Sequence, residues 1–295
     1  FQNNLKLNST NYNNNIPSIL SEHSNSNLNN YIYQTNVLYN KPSKYGDIKV
    51  ISKTLNNKSP ILELYINERI QCDTNKFYEN NISEIHFIET SLNLFNKTNL
   101  SSLNIGLGCG LSSSILANNN KIKNVDIIEI NSKMINASKF FSNYTNNLLE
   151  NKKINLIIND GYLYILETNK TYDLIAIDIE NPTITHSSKL YTLENFQNIK
   201  LKLNKNGIFT LWAYNGNERY LAVIYNTLKK VYPYVYLKKS GIYNDAYFFA
   251  SNTKINLTKL DLSKKDIELT NNINEKYSNL EINTINKPTI LKYWH

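Results

Sequence analysis

The sequence predicts an α/β fold in which helices cover both faces of a parallel sheet, preceded by a small β-domain. Two observations predict it. Strand-like apolar runs alternate with helical stretches over residues 98–250, as in parallel sheets buried on both faces. A run beginning at Leu103 also enters a glycine-rich turn that leads into a helix from Ser112, and the turn contains Gly106, Gly108, Cys109 and Gly110. This order lets backbone N–H groups approach a nucleotide-like ligand, although a glycine turn alone also serves packing.

Each of the next three predicted strands leads to a carboxylate, at Glu129, Asp160 and Asp178. Glu129 lies roughly 20 residues beyond Gly108, the offset at which an acidic side chain accepts hydrogen bonds from ribose hydroxyls in doubly wound folds. The C-terminal ends of parallel strands form the edge where such sheets bind ligands. The sequence has an Asp160-Gly161 pair after the third strand and lacks the G-x-G-x-x-G motif of nicotinamide-binding folds. Both features favour a Rossmann-like class I S-adenosylmethionine-binding fold, whose last strand is antiparallel.

The remaining elements follow in chain order. Two β-prone runs at 47–54 and 61–67, joined by a turn and extended by 69–72, predict a small antiparallel sheet, and a helix is expected over 77–87. Beyond Asp178 we expect a helix (192–203), a strand (207–212) and a second helix (217–232). An antiparallel pair of strands follows, at 234–237 and 246–250. The sequence predicts four divisions. They are an Asn/Ser-rich leader or linker (1–44), a β-hairpin domain (45–92), a Rossmann-like catalytic domain (93–255) and a C-terminal tail that packs back (256–295).

Composition limits the partners. With 295 residues, 41% of them hydrophobic, the chain can bury a large core, and it contains no apolar run of about 18 residues. The net charge of +8 comes from lysines scattered among asparagines, which argues against nucleic-acid binding. Two cysteines, Cys72 and Cys109, predict neither a disulfide framework nor a metal site. We expect a cytoplasmic protein, or the cytoplasmic domain of a protein tethered to a membrane through sequence upstream of Phe1.

Several motifs in order resemble the spermidine synthase (polyamine aminopropyltransferase) family over residues 44–252. Leu64-Tyr-Ile-Asn-Glu-Arg-Ile-Gln71 resembles its L-x-x-(N/D)-G-x-x-Q hairpin, with Glu68 where glycine is usual. Tyr78 matches the tyrosine of its Y-(H/Q)-E helix, and Leu190-Tyr-Thr-Leu-Glu-Asn-Phe196 resembles the segment after its active-site loop. The chain looks most similar to the bacterial subgroup that is fused to membrane segments.

This resemblance implies a homodimeric enzyme that moves an aminopropyl group from decarboxylated S-adenosylmethionine to an amine or polyamine and releases methylthioadenosine. By matching position, the turn backbone from Gly106 to Gly110 would line the aminopropyl or amino-acid end of the donor, and Tyr78 would face the acceptor. The residues that would hold the adenosine are Gln71, Glu129, Asp160 and Gly161.

Two further positions depart from the family pattern. Cys109 stands where the family has the aspartate that grips the donor's ammonium, and Asn181 stands where it has the aspartate that takes the proton from the attacking amine. An alkylamine, with a pKa near ~10.4, arrives protonated at neutral pH, and losing one general base forfeits about 10²–10⁴ in rate. Glu180 is the candidate replacement base, with Asp178 committed to the sheet edge and donor site.

Other groups near this edge have both a functional and a packing interpretation. His186 is either a base or an exposed loop residue, and four aromatic side chains either cage a cation or pack the core and its rim, namely Trp212, Tyr214, Tyr243 and Tyr247. Two further functions stay open on the same scaffold. One is an S-adenosylmethionine-dependent methyltransferase, whose donor keeps its carboxylate, and the other is a catalytically degenerate domain that binds adenosyl ligands.

Overall fold

Two β-sheets organise the computed structural model of the protein. It describes residues 33–55, 59–75, 83–179, 187–214, 217–240 and 245–293. The N-terminal sheet has four antiparallel strands in the order β1-β2-β3-β4, which are Tyr33–Lys41, Ile48–Leu55, Ile61–Ile66 and Arg69–Asp73. The predicted antiparallel sheet is confirmed, and it has one strand more than expected. The leader assigned to residues 1–44 overlaps β1, which is Asn-rich but pairs with β2 along its whole length.

The central sheet has seven strands in the order β10-β11-β9-β8-β5-β6-β7. In chain order β5 to β11 are Leu100–Ile105, Ile122–Glu129, Ile154–Ile158, Tyr172–Ile177, Leu203–Tyr214, Tyr234–Lys239 and Asp245–Ser251. Strands β5 to β9 run parallel, whereas β11 is antiparallel to both β9 and β10. The fold class predicted from the sequence is therefore confirmed.

Helices cover both faces of this sheet. The described helices α1 to α8 are Ser83–Asn93, Leu111–Asn118, Ser132–Ser138, Gly161–Glu167, Leu193–Leu201, Glu218–Lys229, Leu257–Leu260 and Lys264–Lys276. One face, which we name the α6 face, packs against α4, α5 and α6. The opposite α2 face packs against α1, α2, α3 and the N-terminal sheet. Successive strand residues alternate between the two cores, so Ile175 and Ile177 lie on the α6 face and Leu174 and Ala176 on the α2 face.

The N-terminal sheet docks on the α2 face beside the C-terminal end of β6. Ile48, Val50 and Leu64 are fully buried in the core of that face. Two hydrogen bonds fix the docking, from the Tyr39 hydroxyl to the Lys133 carbonyl (3.1 Å) and from Asn131 Nδ2 to Ser43 Oγ (2.8 Å). This packing brings β2–β4 next to the predicted ligand edge.

The C-terminal segment returns to the α6 face. Ile290 is fully buried in that core, and the buried Asn283 donates from Nδ2 to the Tyr191 carbonyl at 2.9 Å. No helix within the described residues combines the length and the apolar character required to cross a membrane.

The turn between β3 and β4 holds two residues in the left-handed region, Asn67 with φ 47° and Glu68 with φ 62°. Asparagine visits this region readily, whereas a glutamate there costs about 1–2 kcal/mol. Replacing Glu68 with glycine should therefore raise the free energy of unfolding by about 1 kcal/mol, measured by urea denaturation. Glu68→Gln is the matched control, since it removes only the exposed ion pair to Lys49 and should change stability by under about 0.5 kcal/mol. A Glu68→Gly protein less stable than Glu68→Gln would contradict this account.

Candidate functional site

The glycine turn follows β5 as predicted and lies against the ends of its neighbouring strands. Gly106, Gly108 and Gly110 all have positive φ, at 106°, 52° and 95°. A Cβ on Gly106 would lie 2.7 Å from the Asp178 carbonyl oxygen, and one on Gly110 would lie 2.7 Å from Leu148. A Cβ on Gly108 would meet nothing within 4 Å. Backbone packing thus requires glycine at 106, and the positive φ together with Leu148 favours it at 110. Gly108 is the point where the turn faces open space.

Helix α2 begins directly after this turn. Its N-cap is Gly110, which has no side chain with which to cap the helix, and its first turn carries no acidic residue. The first N–H groups of a helix have no partner within the helix, and the helix dipole is positive at this end. The turn and the start of α2 therefore present backbone donors to the edge of the sheet.

Glu129 lies at the C-terminal end of β6, where the sequence predicts it. Its Oε2 accepts from the Leu107 backbone N–H at 3.0 Å and its Oε1 from the Asn131 N–H at 2.8 Å. The side chain is 7% exposed, and burial raises its pKa although the backbone hydrogen bonds oppose that rise. Glu129 therefore holds the glycine turn against β6. The Ile130 backbone is a third hydrogen-bond partner of this carboxylate, and binding of ribose hydroxyls stays a prediction for this residue.

Asp160 and Gly161 follow β7 at the same edge. The Asp160 carboxylate caps α4 and accepts from the Tyr162 backbone N–H at 2.8 Å. Gly161 packs against β5 so closely that an added Cβ would lie 2.5 Å from Ile105. Helix capping and close packing thus account for the Asp-Gly pair within the fold, and its contact with adenosine stays a prediction.

Asp178 directly follows β8 and accepts a hydrogen bond from the Ser112 hydroxyl in the first turn of α2. Burial raises the pKa of the Asp178 carboxyl, the Ser112 hydrogen bond opposes this, and the charge of Asp245 raises it further. Because strand residues alternate, Asp178 lies on the α2 face with Ala176, and Asp245 lies there with Tyr247.

Sequence reasoning missed Asp245, the first residue of β11. It is 8% exposed and pairs in register with Tyr214 at the C-terminal end of β9. The predicted antiparallel orientation of the last strand could have located Asp245, because an antiparallel strand starts at the edge where the parallel strands end. Two acidic side chains, Asp178 and Asp245, therefore share one edge and one face of the sheet.

The sequence predicts no disulfide framework for the two cysteines, and the structure corrects this. Cys72 in β4 and Cys109 in the glycine turn form a disulfide, with their Cα atoms 6.5 Å apart. They are 37 residues apart in sequence, and only the docking of the N-terminal sheet on the α2 face brings them together. The Cys109 backbone stays in the turn, as predicted, whereas its sulfur is bonded to Cys72. Gln71, next to Cys72, is partly buried, and its Nε2 donates to the carbonyls of Arg69 and Ile70 at 3.4 and 3.5 Å.

The remaining predicted site residues divide into two groups. Among the aromatic side chains, Tyr247 packs on Phe87 with ring centroids 5.5 Å apart, Trp212 packs against the α2-face core, and Tyr214 is 41% exposed. Other predicted residues lie outside the described residues, namely Tyr78, Glu180, Asn181, His186 and Tyr243. Within the described part of the chain, no cluster of three or more His, Cys, Asp or Glu side chains is placed to hold a metal ion.

Comparisons with known proteins converge on one family. A family model described as the spermine/spermidine synthase domain matches residues 92–264, which run from the end of α1 to the start of α8. The polyamine aminopropyltransferase of Methanocaldococcus jannaschii is 28% identical over 189 residues, covering 64% of this chain and 61% of that protein. The polyamine aminopropyltransferase of Buchnera aphidicola is 32% identical over 161 residues, covering 51% of this chain and 54% of that protein. The chain thus matches only part of the length of these relatives.

Solved structures with this fold include enzymes of two kinds. A spermidine synthase in complex with the transition-state analogue AdoDATO has a TM-score of 0.60 at 19% identity, covering 87% of this chain and 84% of that one. The human methyltransferase-like protein 13 in complex with SAH has a TM-score of 0.52 at 20% identity, covering 65% of this chain and 91% of that one. At these identities the likeness shows the fold alone.

The glycine turn supplies a matched pair of substitutions. Gly106→Ala should destabilise the protein by about 3 kcal/mol, because its methyl group would collide with backbone at a positive φ. Gly108→Ala should cost only about 1 kcal/mol, since its φ lies in the left-handed well and its methyl group meets no atom. Urea denaturation measures both changes. Equal stability of the two variants would mean that the close approach of Gly106 to Asp178 is wrong.

Proposed function

Since the chain belongs to the spermine/spermidine synthase family, we propose that it transfers an aminopropyl group from decarboxylated S-adenosylmethionine to an amine or polyamine. The observation that carries the proposal is the family match over residues 92–264, which contains the whole glycine turn and every carboxylate of the described edge. A homodimeric assembly and a cytoplasmic location are part of the same proposal.

The described edge supports a site for the donor. Gly108 leaves open space above the turn, and the start of α2 offers backbone donors beside it. In this proposal Gln71, Glu129 and the Asp160-Gly161 pair hold the adenosine. The sulfonium of the donor is cationic, and the buried carboxylates of Asp178 and Asp245 favour a positive charge at this end of the site.

The chemistry then requires one proton to be removed. The acceptor nitrogen attacks the aminopropyl carbon bonded to sulfur, the carbon–sulfur bond breaks with its electron pair moving to sulfur, and methylthioadenosine leaves. The attacking ammonium has to lose a proton before its lone pair becomes available, and a carboxylate is the suitable acceptor for it. We propose Glu180 for this role, two residues beyond Asp178, with Tyr78 beside the acceptor and Asn181 unable to act as the base.

Methyl transfer is the second candidate, and a specific observation favours it. The family position that grips the donor's ammonium is Cys109, whose sulfur is bonded to Cys72. A donor that keeps its carboxylate would not need an acidic side chain at this position. A degenerate domain that only binds adenosyl ligands is the third possibility, because Asn181 replaces the usual base.

Mass spectrometry of the reaction products separates the three functions. The full chain is incubated with S-adenosylmethionine or its decarboxylated form, each with putrescine, spermidine or no amine. Aminopropyl transfer predicts methylthioadenosine only from the decarboxylated donor with an amine, and its loss in Glu180→Gln by about 10²-fold or more. S-adenosylhomocysteine would show methyl transfer instead. Donor binding by calorimetry without either product would leave the binding-domain function.

The charge of Asp245 should determine the acid limb of the pH dependence of kcat/KM, because it raises the pKa of Asp178. Asp245→Asn removes a like charge beside a carboxyl whose pKa is raised, so the pKa of Asp178 should fall. The ionised form of Asp178 then persists to lower pH, and the acid limb of kcat/KM should move to lower pH. Carboxyl-carbon NMR measures the same titration in the absence of turnover.

Asp245→Glu is the matched control for this prediction. It keeps the negative charge at the same position, so the pKa of Asp178 should stay raised. An Asp178 titration that is unchanged in Asp245→Asn would show that Asp245 does not act on it.

A further inference from the structure

The two cysteines of the chain connect two parts of the candidate site. Cys72 lies in β4 of the N-terminal sheet, and Cys109 lies in the glycine turn of the central domain. The sequence contains no other cysteine. Their Cα separation of 6.5 Å falls within the range of about 4.4–6.8 Å found for disulfides. The bond is therefore the one disulfide that this chain can form within itself.

Strand β4 depends on this bond more than its neighbours do. It lies at the edge of the N-terminal sheet and, within the described residues, pairs with β3 alone. Among the described residues, Tyr39, Ser43 and core residues of β2 and β3 also fix the sheet to the central domain. Edge strands with few partners are the segments that open locally at low free-energy cost. Without the disulfide, β4 would be held to the turn by weaker contacts.

The residue next to Cys72 is Gln71, which the proposed function assigns to the adenosine. On the other side of the bond, Cys109 lies between Gly108, where the turn is open, and Gly110, where α2 begins. Cys109 is 6% exposed and Cys72 is partly exposed, so an attacking thiolate would reach the bond from the side of Cys72. The bond thus joins two segments of the proposed donor site.

We propose that Cys72–Cys109 is a reversible disulfide that controls donor binding. In the disulfide form strand β4, which carries Gln71, is held to the glycine turn and the site binds the adenosyl group tightly. In the dithiol form β4 is released from the turn and the site binds it weakly. This inference rests on the proposed function, because it takes Gln71 and the turn as parts of one adenosyl site.

The exchange balances with a low-molecular-weight thiol as reductant and its disulfide as oxidant. A thiolate attacks one sulfur of the pair, the protein S–S bond breaks, and the expelled cysteine thiolate takes up a proton. A second thiol displaces the mixed disulfide, leaving two protein thiols and one small-molecule disulfide. Two electrons are transferred, and the reverse steps reoxidise the protein.

Calorimetric titration of the full chain with methylthioadenosine tests the inference. Protein treated with oxidised glutathione and freed of it should bind at least about tenfold more tightly than protein kept in a trialkylphosphine, and reoxidation should restore the affinity. Peptide mapping after alkylation identifies the Cys72–Cys109 link in the first sample and two alkylated cysteines in the second. Circular dichroism in both buffers establishes that the chain is folded in each.

Cys72→Ala is the matched control, because it removes the cross-link and leaves the glycine turn intact. It should bind as weakly as the reduced wild type, with or without phosphine. Equal affinity of the oxidised and reduced wild type would overturn the inference and leave the proposed function standing. No binding in either state would overturn the proposed adenosyl site, and the inference with it.

Discussion

The close approach of the glycine turn to the ends of β6 and β8 is the constraint on which the candidate site depends. Gly106 touches the backbone of Asp178 where no side chain fits, and Glu129 accepts from the N–H of Leu107 inside the turn. Ser112 completes the contact by donating to the Asp178 carboxylate. The turn is thus held between two strand ends by groups that are themselves site residues, so its shape and the positions of the carboxylates are set together.

Burial gives this edge its electrostatic character. Glu129 and Asp178 are both removed from water, which raises the pKa of each, and Asp245 adds a second negative charge near Asp178. Buried carboxylates are stabilised by a nearby cation, and a sulfonium or an ammonium would supply one. A cationic ligand would offset the cost of burying these carboxylates, which agrees with the proposed donor and the proposed amine acceptor.

The N-terminal sheet is a separate layer of the fold and lies beside the glycine turn of the candidate site. Its inner strands are fixed by core residues on the α2 face, whereas its outer strand β4 is tied to the glycine turn by a covalent bond. Under the proposed disulfide exchange, the inner strands would stay docked while β4 is released from the turn.

Local sequence patterns determined the central sheet, the glycine turn and the carboxylates at the strand ends, because buried parallel strands and glycine turns are each encoded within a few neighbouring residues. The same patterns did not identify β1, Asp245 or the Cys72–Cys109 bond. An Asn-rich stretch becomes a strand only through its pairing with β2. Asp245 reaches the site only because β11 runs antiparallel beside β9, and the cysteines meet only because one sheet docks on the other. These features depend on contacts between residues distant in sequence, which only the tertiary structure decides.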